Sequence, residues 1–141
     1  MADIELQVTI ASTPERVREL IMDPERATSW QGSLTAYEQT TPGPAGPGTQ
    51  SKGTTSLLGQ SMDWTAEIVE WDELGWTWKS VVADPPWELR WEVEGVEGGT
   101  RVTFHKSSPA LSGAGGLLAR KFVGAQDEKD LQALRGLLEG A

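Results

Sequence analysis

Trp87-Glu88-Leu89-Arg90-Trp91-Glu92-Val93-Glu94 runs through Gly95-Val96-Glu97-Gly98-Gly99 into Thr100-Arg101-Val102-Thr103-Phe104-His105. Apolar and polar side chains alternate along both arms, so each reads as a strand with one buried and one wet face. Trp87, Leu89, Trp91 and Val93 face one way; Glu88, Arg90, Glu92 and Glu94 face the other. In the second arm Val102 and Phe104 point inward, and Arg101, Thr103 and His105 outward. The stretch Gly95 to Gly99 reads as a hairpin loop. A register centred on it sets Val93 opposite Val102, Trp91 opposite Phe104, and Glu94 opposite Arg101. The first two pairs are apolar, and the third is an opposite-charge pair on the wet face. One register satisfies both faces, which specifies the hairpin.

The same alternation extends toward the N-terminus. Ile4, Leu6, Val8 and Ile10 mark a first strand. Residues 33–41 form a second, with Leu34 and Ala36 on one side and Tyr37 by parity on the other. The stretch 42–48 is Pro and Gly apart from Ala45 and reads as a loop. Strand three runs from about Thr49 to Leu58, and strand four carries Met62, Trp64, Ala66 and Ile68 on one face. Strand five carries Trp76, Trp78, Ser80 and Val82. Between strands one and two lie two short helices. Thr13-Pro14-Glu15 and Asp23-Pro24-Glu25 each supply an N-cap, a proline at the first helical position and an acid in the first turn. After the small, glycine-rich stretch 107–116 comes one long helix, at about 114–139. Its expected apolar stripe is Leu117, Leu118, Phe122, Leu131, Leu134 and Leu138.

The chain has 141 residues, seven tryptophans, one histidine and no cysteine. That is enough for a substantial core in one domain spanning 1–141. It excludes disulfides, a thiol nucleophile, a thiolate metal site and a multi-histidine centre, so neither metal nor cofactor is expected. A net charge of -9 opposes binding to nucleic acid and to anionic membrane surfaces. No apolar run is long enough to span a bilayer, and no basic-then-apolar leader pattern is present, so stable membrane insertion is not expected and the reading is cytoplasmic. The residues carry no signal on oligomeric state.

Several local stretches resemble one family. Ile10-Ala11-Ser12-Thr13-Pro14-Glu15-Arg16-Val17 resembles its opening strand-to-helix signature, and Asp23-Pro24-Glu25-Arg26 through Trp30 its second short helix. Gly48-Thr49, Ile68-Val69-Glu70-Trp71-Asp72 and Gly99-Thr100-Arg101-Val102-Thr103 resemble its later strand boundaries. Five such stretches in order resemble the START-related, birch-pollen-allergen-like superfamily called SRPBCC. The bacterial polyketide cyclase/dehydrase and lipid transport branch is the most similar. The resemblance implies an α+β helix-grip fold: a seven-stranded antiparallel sheet wrapped around a long C-terminal helix, with two short helices between strands one and two. It also implies a cavity between sheet and helix, lined by Trp64, Trp78, Trp91, Phe104, Leu118 and Phe122. Leu89 shares the face of Trp91, and Trp30 is expected at the mouth with the loop 42–48 and the segment 107–116. The same residues also fit a filled core; the surplus of indoles favours an aromatic-lined cavity. Buried indole N–H groups need acceptors, and Ser80, Thr55 and Ser61 are the nearest expected.

Candidate chemistry is sparse. His105 falls on the outer face beside Arg90. The loop 42–48 lacks the Lys-Ser/Thr of a phosphate loop, and its prolines remove backbone donors. Asp63 and Glu67 share the outward parity of strand four, and Asp127, Glu128 and Asp130 are expected on the wet side of the helix. No serine lies in a nucleophile-elbow context. Arg120 and Lys121 are placed near the mouth. Three functions follow in order: a carrier or sensor of a hydrophobic or aromatic small molecule such as a lipid, polyketide or quinone; a polyketide cyclase or dehydratase working in the same cavity; and an interaction protein whose cavity is filled. The lack of an inward histidine, cysteine or carboxylate ranks the first above the second.

Overall fold

A computed structural model describes residues 2–57 and 59–140. Leu58, expected at the end of strand three, lies outside the described residues. The order is β1 (Ile4–Ile10), α1 (Pro14–Met22), α2 (Ala27–Trp30), β2 (Leu34–Gln39), β3 (Gln50–Leu57), β4 (Gln60–Trp71), β5 (Gly75–Val82), β6 (Glu88–Val96), β7 (Gly99–Ser107), two 3-10 turns (Pro109–Leu111 and Ala114–Gly116) and α3 (Leu117–Glu139). All neighbouring strands are antiparallel, in the order β1-β7-β6-β5-β4-β3-β2. This is the helix-grip fold.

The β6–β7 ladder has the register read from the sequence, with Val93 opposite Val102, Trp91 opposite Phe104 and Glu94 opposite Arg101. Arg101 and Glu94 form an exposed ion pair. Pairing continues to Val96 and Gly99, so the turn is only Glu97-Gly98, tighter than the expected five-residue loop. Gly98 adopts φ 87°, a region open to glycine at little cost.

Thr13 caps α1, its hydroxyl accepting from the Arg16 N–H at 3.3 Å. Val17, Leu20 and Ile21 bury the helix against the sheet. The second start signal works differently from expectation. Asp23 Oδ1 accepts from the Glu25 N–H at 3.0 Å, closing an Asx turn, and the single-turn helix α2 begins only at Ala27.

α3 crosses the concave face and approaches β1, α1 and α2 closely. Leu131, Leu134 and Leu138 are its core anchors. At its far end Glu139 accepts from the Ala11 N–H at 2.9 Å, fixing the helix to the β1–α1 corner. Leu118 and Phe122 do not join this stripe. They are 66% and 48% exposed, and Leu117 is exposed as well. Nine residues separate Phe122 from Leu131, about two and a half helical turns, which puts the two on opposite faces. The described residues contain no helix long and apolar enough to cross a membrane.

Candidate functional site

Between the concave face of the sheet and the helices α2 and α3 lies a cavity of about 690 Å3. Six of the seven tryptophans line it: Trp30, Trp64, Trp76, Trp78, Trp87 and Trp91. Trp71 packs instead on Trp76 (centroids 6.1 Å apart), and the Arg18 guanidinium lies 5.8 Å from its ring. Strand parity explains the clustering. Trp76 and Trp78 share a face of β5, Leu89 and Trp91 alternate into the same side from β6 with Trp87 just before it, and Phe104 faces Trp91 from β7.

The rings divide by burial. Trp30, Trp76, Trp91 and Phe104 are buried, whereas Trp64, Trp78, Trp87 and Leu89 are half-buried. Three of the buried rings form a continuous aromatic cluster, whereas Trp76 pairs with Trp71. Trp30 meets Trp91 edge-on at 5.7 Å, and Trp91 tilts over Phe104 at 4.6 Å. At the other end Trp64 meets Trp87 edge-on at 5.2 Å and Tyr37 at 6.1 Å. Trp64 Nε1 donates to Thr55 Oγ1 at 2.9 Å, one of the expected acceptors. Ser80 Oγ accepts from the Trp87 backbone N–H, and Ser61 bonds Ser56.

Gly53 makes room for Trp64. A Cβ on Gly53 would lie 2.5 Å from the indole and 2.9 Å from the Ala36 carbonyl oxygen. The absent side chain thus lets the ring lie flat against β3.

Of the expected lining residues, Trp30, Trp64, Trp78, Leu89, Trp91 and Phe104 lie on the cavity wall. Leu118 and Phe122 do not; they face outward from α3 for the helical-phase reason given above. Trp30 is 3% exposed and belongs to the deep wall rather than the mouth. Ala45 of the 42–48 loop reaches the cavity, as do Ser108, Ala110 and Leu111. The segment 107–116 is well tied. Ser108 N–H donates to Asp3 Oδ2 at 3.0 Å and Ser108 Oγ to the Pro86 carbonyl at 2.7 Å. Arg120 does not point at the mouth but donates to the carbonyls of Leu111 and Gly113.

Polar groups missed in the sequence also stand on the wall. Asp127 and Asp130 are buried and line the cavity, contrary to the expectation of a wet face. They share the helical face of Leu131 and Leu134. Lys106 Nζ lies 2.9 Å from Asp127 Oδ1 and 5.3 Å from the Phe104 centroid. Lys106 has the parity of Val102 and Phe104, and that was the available signal. Asp130 Oδ1 accepts from the Gly32 N–H and from Gln126 Nε2, both at 2.9 Å. Burial pushes both carboxyls above the ordinary aspartate range; for Asp127, Lys106 opposes the shift without cancelling it. Asp127 Oδ2 and Trp30 Nε1 have no hydrogen-bond partner among the described residues.

Tyr37 is a second correction. A register shift between Leu34 and Ala36 in β2 reverses the parity beyond it. Tyr37 therefore turns to the cavity, where its hydroxyl pairs with Ser51 Oγ at 2.8 Å and burial raises its pKa. His105 stays on the outer face opposite Arg90, with Nε2 3.1 Å from Glu92 Oε1. Asp63 and Glu67 also face out, bonding Thr54 and Gln50.

No curated protein matches the chain. Solved structures do. A protein from Thermus thermophilus aligns with TM-score 0.80 at 23% identity, covering 96% of this chain and 95% of that one. A START superfamily protein from Mycobacterium smegmatis aligns with TM-score 0.77 at 17% identity, covering 97% of each. The Zhui aromatase/cyclase from Streptomyces sp. R1128 aligns with TM-score 0.74 at 16% identity, covering 96% and 92%. At these identities the likeness establishes the fold. The family described as polyketide cyclase / dehydrase and lipid transport matches residues 1–139. The chain therefore belongs to the polyketide cyclase / dehydrase and lipid transport family.

Proposed function

We propose that this protein binds a planar, apolar small molecule in the cavity between the sheet and α3. Family and fold are consistent with hydrophobic ligand binding and equally with polyketide cyclase/dehydrase chemistry. The observation that carries the proposal is the cavity wall, about 690 Å3 of space faced by six indoles. Sites for small molecules typically span about 300–1,000 Å3, with mostly apolar walls and a few polar groups. That volume also speaks against the filled-core alternative. The reading keeps the expectation of a cytoplasmic, single-domain protein acting without metal or cofactor.

Asp127 supports the second reading, a cyclase or dehydratase. The sequence ranks it lower for want of an inward histidine, cysteine or carboxylate, and of these an inward carboxylate is present. A buried carboxyl with a raised pKa beside an ammonium is suited to moving a proton. Binding stays the primary proposal because either activity requires it and because Lys106 already engages one Asp127 oxygen.

The test is a titration of intrinsic fluorescence with polycyclic aromatics, quinones and fatty acids. Saturable quenching at one site per chain is expected for planar ligands. If none of the panel quenches saturably while the protein is folded, the binding proposal fails.

A further inference from the structure

We infer that the guest carries a quaternary ammonium group on its planar body, held in an aromatic corner formed by Tyr37, Trp64 and Trp87. The inference rests on the binding proposal above and adds a charged end to its ligand. Trp64 and Trp87 meet at 5.2 Å with their planes 86° apart, and Tyr37 stands 6.1 Å from Trp64. All three line the cavity and are half-buried, unlike the closed rings of the deep wall. Two of their polar groups are engaged elsewhere. Trp64 Nε1 donates to Thr55 Oγ1 at 2.9 Å, and the Tyr37 hydroxyl pairs with Ser51 Oγ at 2.8 Å. Those two rings therefore offer a guest their faces rather than hydrogen bonds. An aromatic face carries the negative part of the ring quadrupole and attracts a cation within about 6 Å of the centroid. A primary ammonium is strongly hydrated; a fully methylated one holds less water and packs its methyl groups on the rings.

The charge of the cavity agrees. Its lining carries Asp84, Asp127 and Asp130 against Lys106, whose ammonium lies 2.9 Å from Asp127. Asp84 is exposed and forms no ion pair among the described residues. It precedes Trp87 by three residues in the β5–β6 connection, a chain length of at most about 11 Å, so its carboxylate stands at the same end of the cavity as the corner. A carboxylate guest is repelled by this lining, and a neutral guest forgoes the attraction of the ring faces. Ile21, Trp91, Phe104 and Leu131, buried along the same cavity, take the apolar body.

The experiment titrates the full chain at pH 7 with (2-naphthylmethyl)trimethylammonium, its neutral isostere 2-neopentylnaphthalene and the anion 2-naphthylacetate, read by 1H–15N NMR. The Trp64 and Trp87 indole resonances are assigned with Trp64→Phe and Trp87→Phe. Cation and isostere share one shape, so the ratio of their affinities reads the charge. The cation is expected to bind at least about fivefold tighter than the isostere and to move both indole resonances, as a desolvated cation on aromatic faces implies. Naphthylacetate should bind weakest. Trp87→Leu keeps an apolar side chain and removes one ring, so the preference should fall to about twofold or less. Equal binding of cation and isostere, or a preference that survives Trp87→Leu, overturns the ammonium corner and leaves the cavity proposal standing. Tightest binding of naphthylacetate overturns it too. If none of the three binds, both proposals fall. Should Trp87→Leu not fold, Asp84→Asn at the exposed rim takes its place: the preference should fall about twofold, and an unchanged preference overturns the inference.

Discussion

Lys106 Nζ and Asp127 Oδ1, 2.9 Å apart, join β7 to α3 at the cavity wall. The pair couples the strand that carries Phe104 to the helix that closes the fold. Both side chains are largely buried, at 21% and 10% exposure. Such a pair contributes little net stability when intact, but breaking one side leaves an uncompensated charge.

Lys106→Met should therefore cost about 3–5 kcal/mol at neutral pH, and Lys106→Met/Asp127→Leu should recover most of it. The loss in the single variant should shrink in acid as Asp127 takes up a proton. Urea unfolding of the three proteins at pH 7 and pH 4 checks this. A double variant as unstable as the single one would contradict the account.

Asp130 gives a pH signature of known sign. Burial raises its folded-state pKa above the ordinary 3.8. A raised carboxyl favours folding below its unfolded value, and that contribution is lost as pH rises through the folded value. Asp130→Asn should thus gain stability relative to wild type on going from pH 3 to pH 7, since the amide has no charge to bury and its oxygen still accepts from Gly32 N–H. The measurement is the difference in unfolding free energy across that range. A difference that stays flat, or reverses, rules the explanation out.

The outward turn of Leu118 and Phe122 is directly testable. Leu118→Ser and Phe122→Ser should each change stability by less than about 0.5 kcal/mol, as ordinary surface substitutions do. Leu134→Ala, on the buried face, should cost about 2–5 kcal/mol. Thermal or urea unfolding distinguishes them. Large losses at 118 or 122 would restore those residues to the cavity.

Gly53→Val should displace the Trp64 indole and break its bond to Thr55. A cost of about 1–3 kcal/mol is expected for overpacking. The Trp64 indole N–H resonance should shift, and planar ligands should bind more weakly. An unchanged Trp64 resonance would mean the ring does not lie on Gly53.

The sheet was legible because alternation and cross-strand chemistry agreed. For β6 and β7 a single register satisfied Val93–Val102 and Glu94–Arg101 together. Tyr37 was misplaced because parity survives only while the ladder is regular, and β2 shifts register between Leu34 and Ala36. A bulge leaves no mark in a short run such as Leu-Thr-Ala-Tyr. Asp127 and Asp130 were misplaced because charge was read as exposure. The phase of α3 says otherwise, since Asp127, Leu131, Leu134 and Leu138 follow the spacing of one face. Leu118 and Phe122 were misplaced by the converse error, apolar character being read as burial. Their half-turn offset from Leu131 was countable from the sequence alone. Lys106 was likewise legible by parity with Phe104. What no pattern announced is that Asp127 Oδ2 and Trp30 Nε1 lack partners, because that depends on the packed geometry of three separate elements.

A planar apolar molecule is expected to lie against the indoles inside the grip of the sheet. Isotope-filtered nuclear Overhauser spectroscopy of the labelled protein with unlabelled 2-naphthol is the decisive measurement. Contacts from the naphthol ring protons to Trp91, Phe104 and Trp30 are expected. Contacts confined to Leu118 and Phe122 on the outer face of α3, or no intermolecular contacts at saturating probe, would refute binding in the cavity.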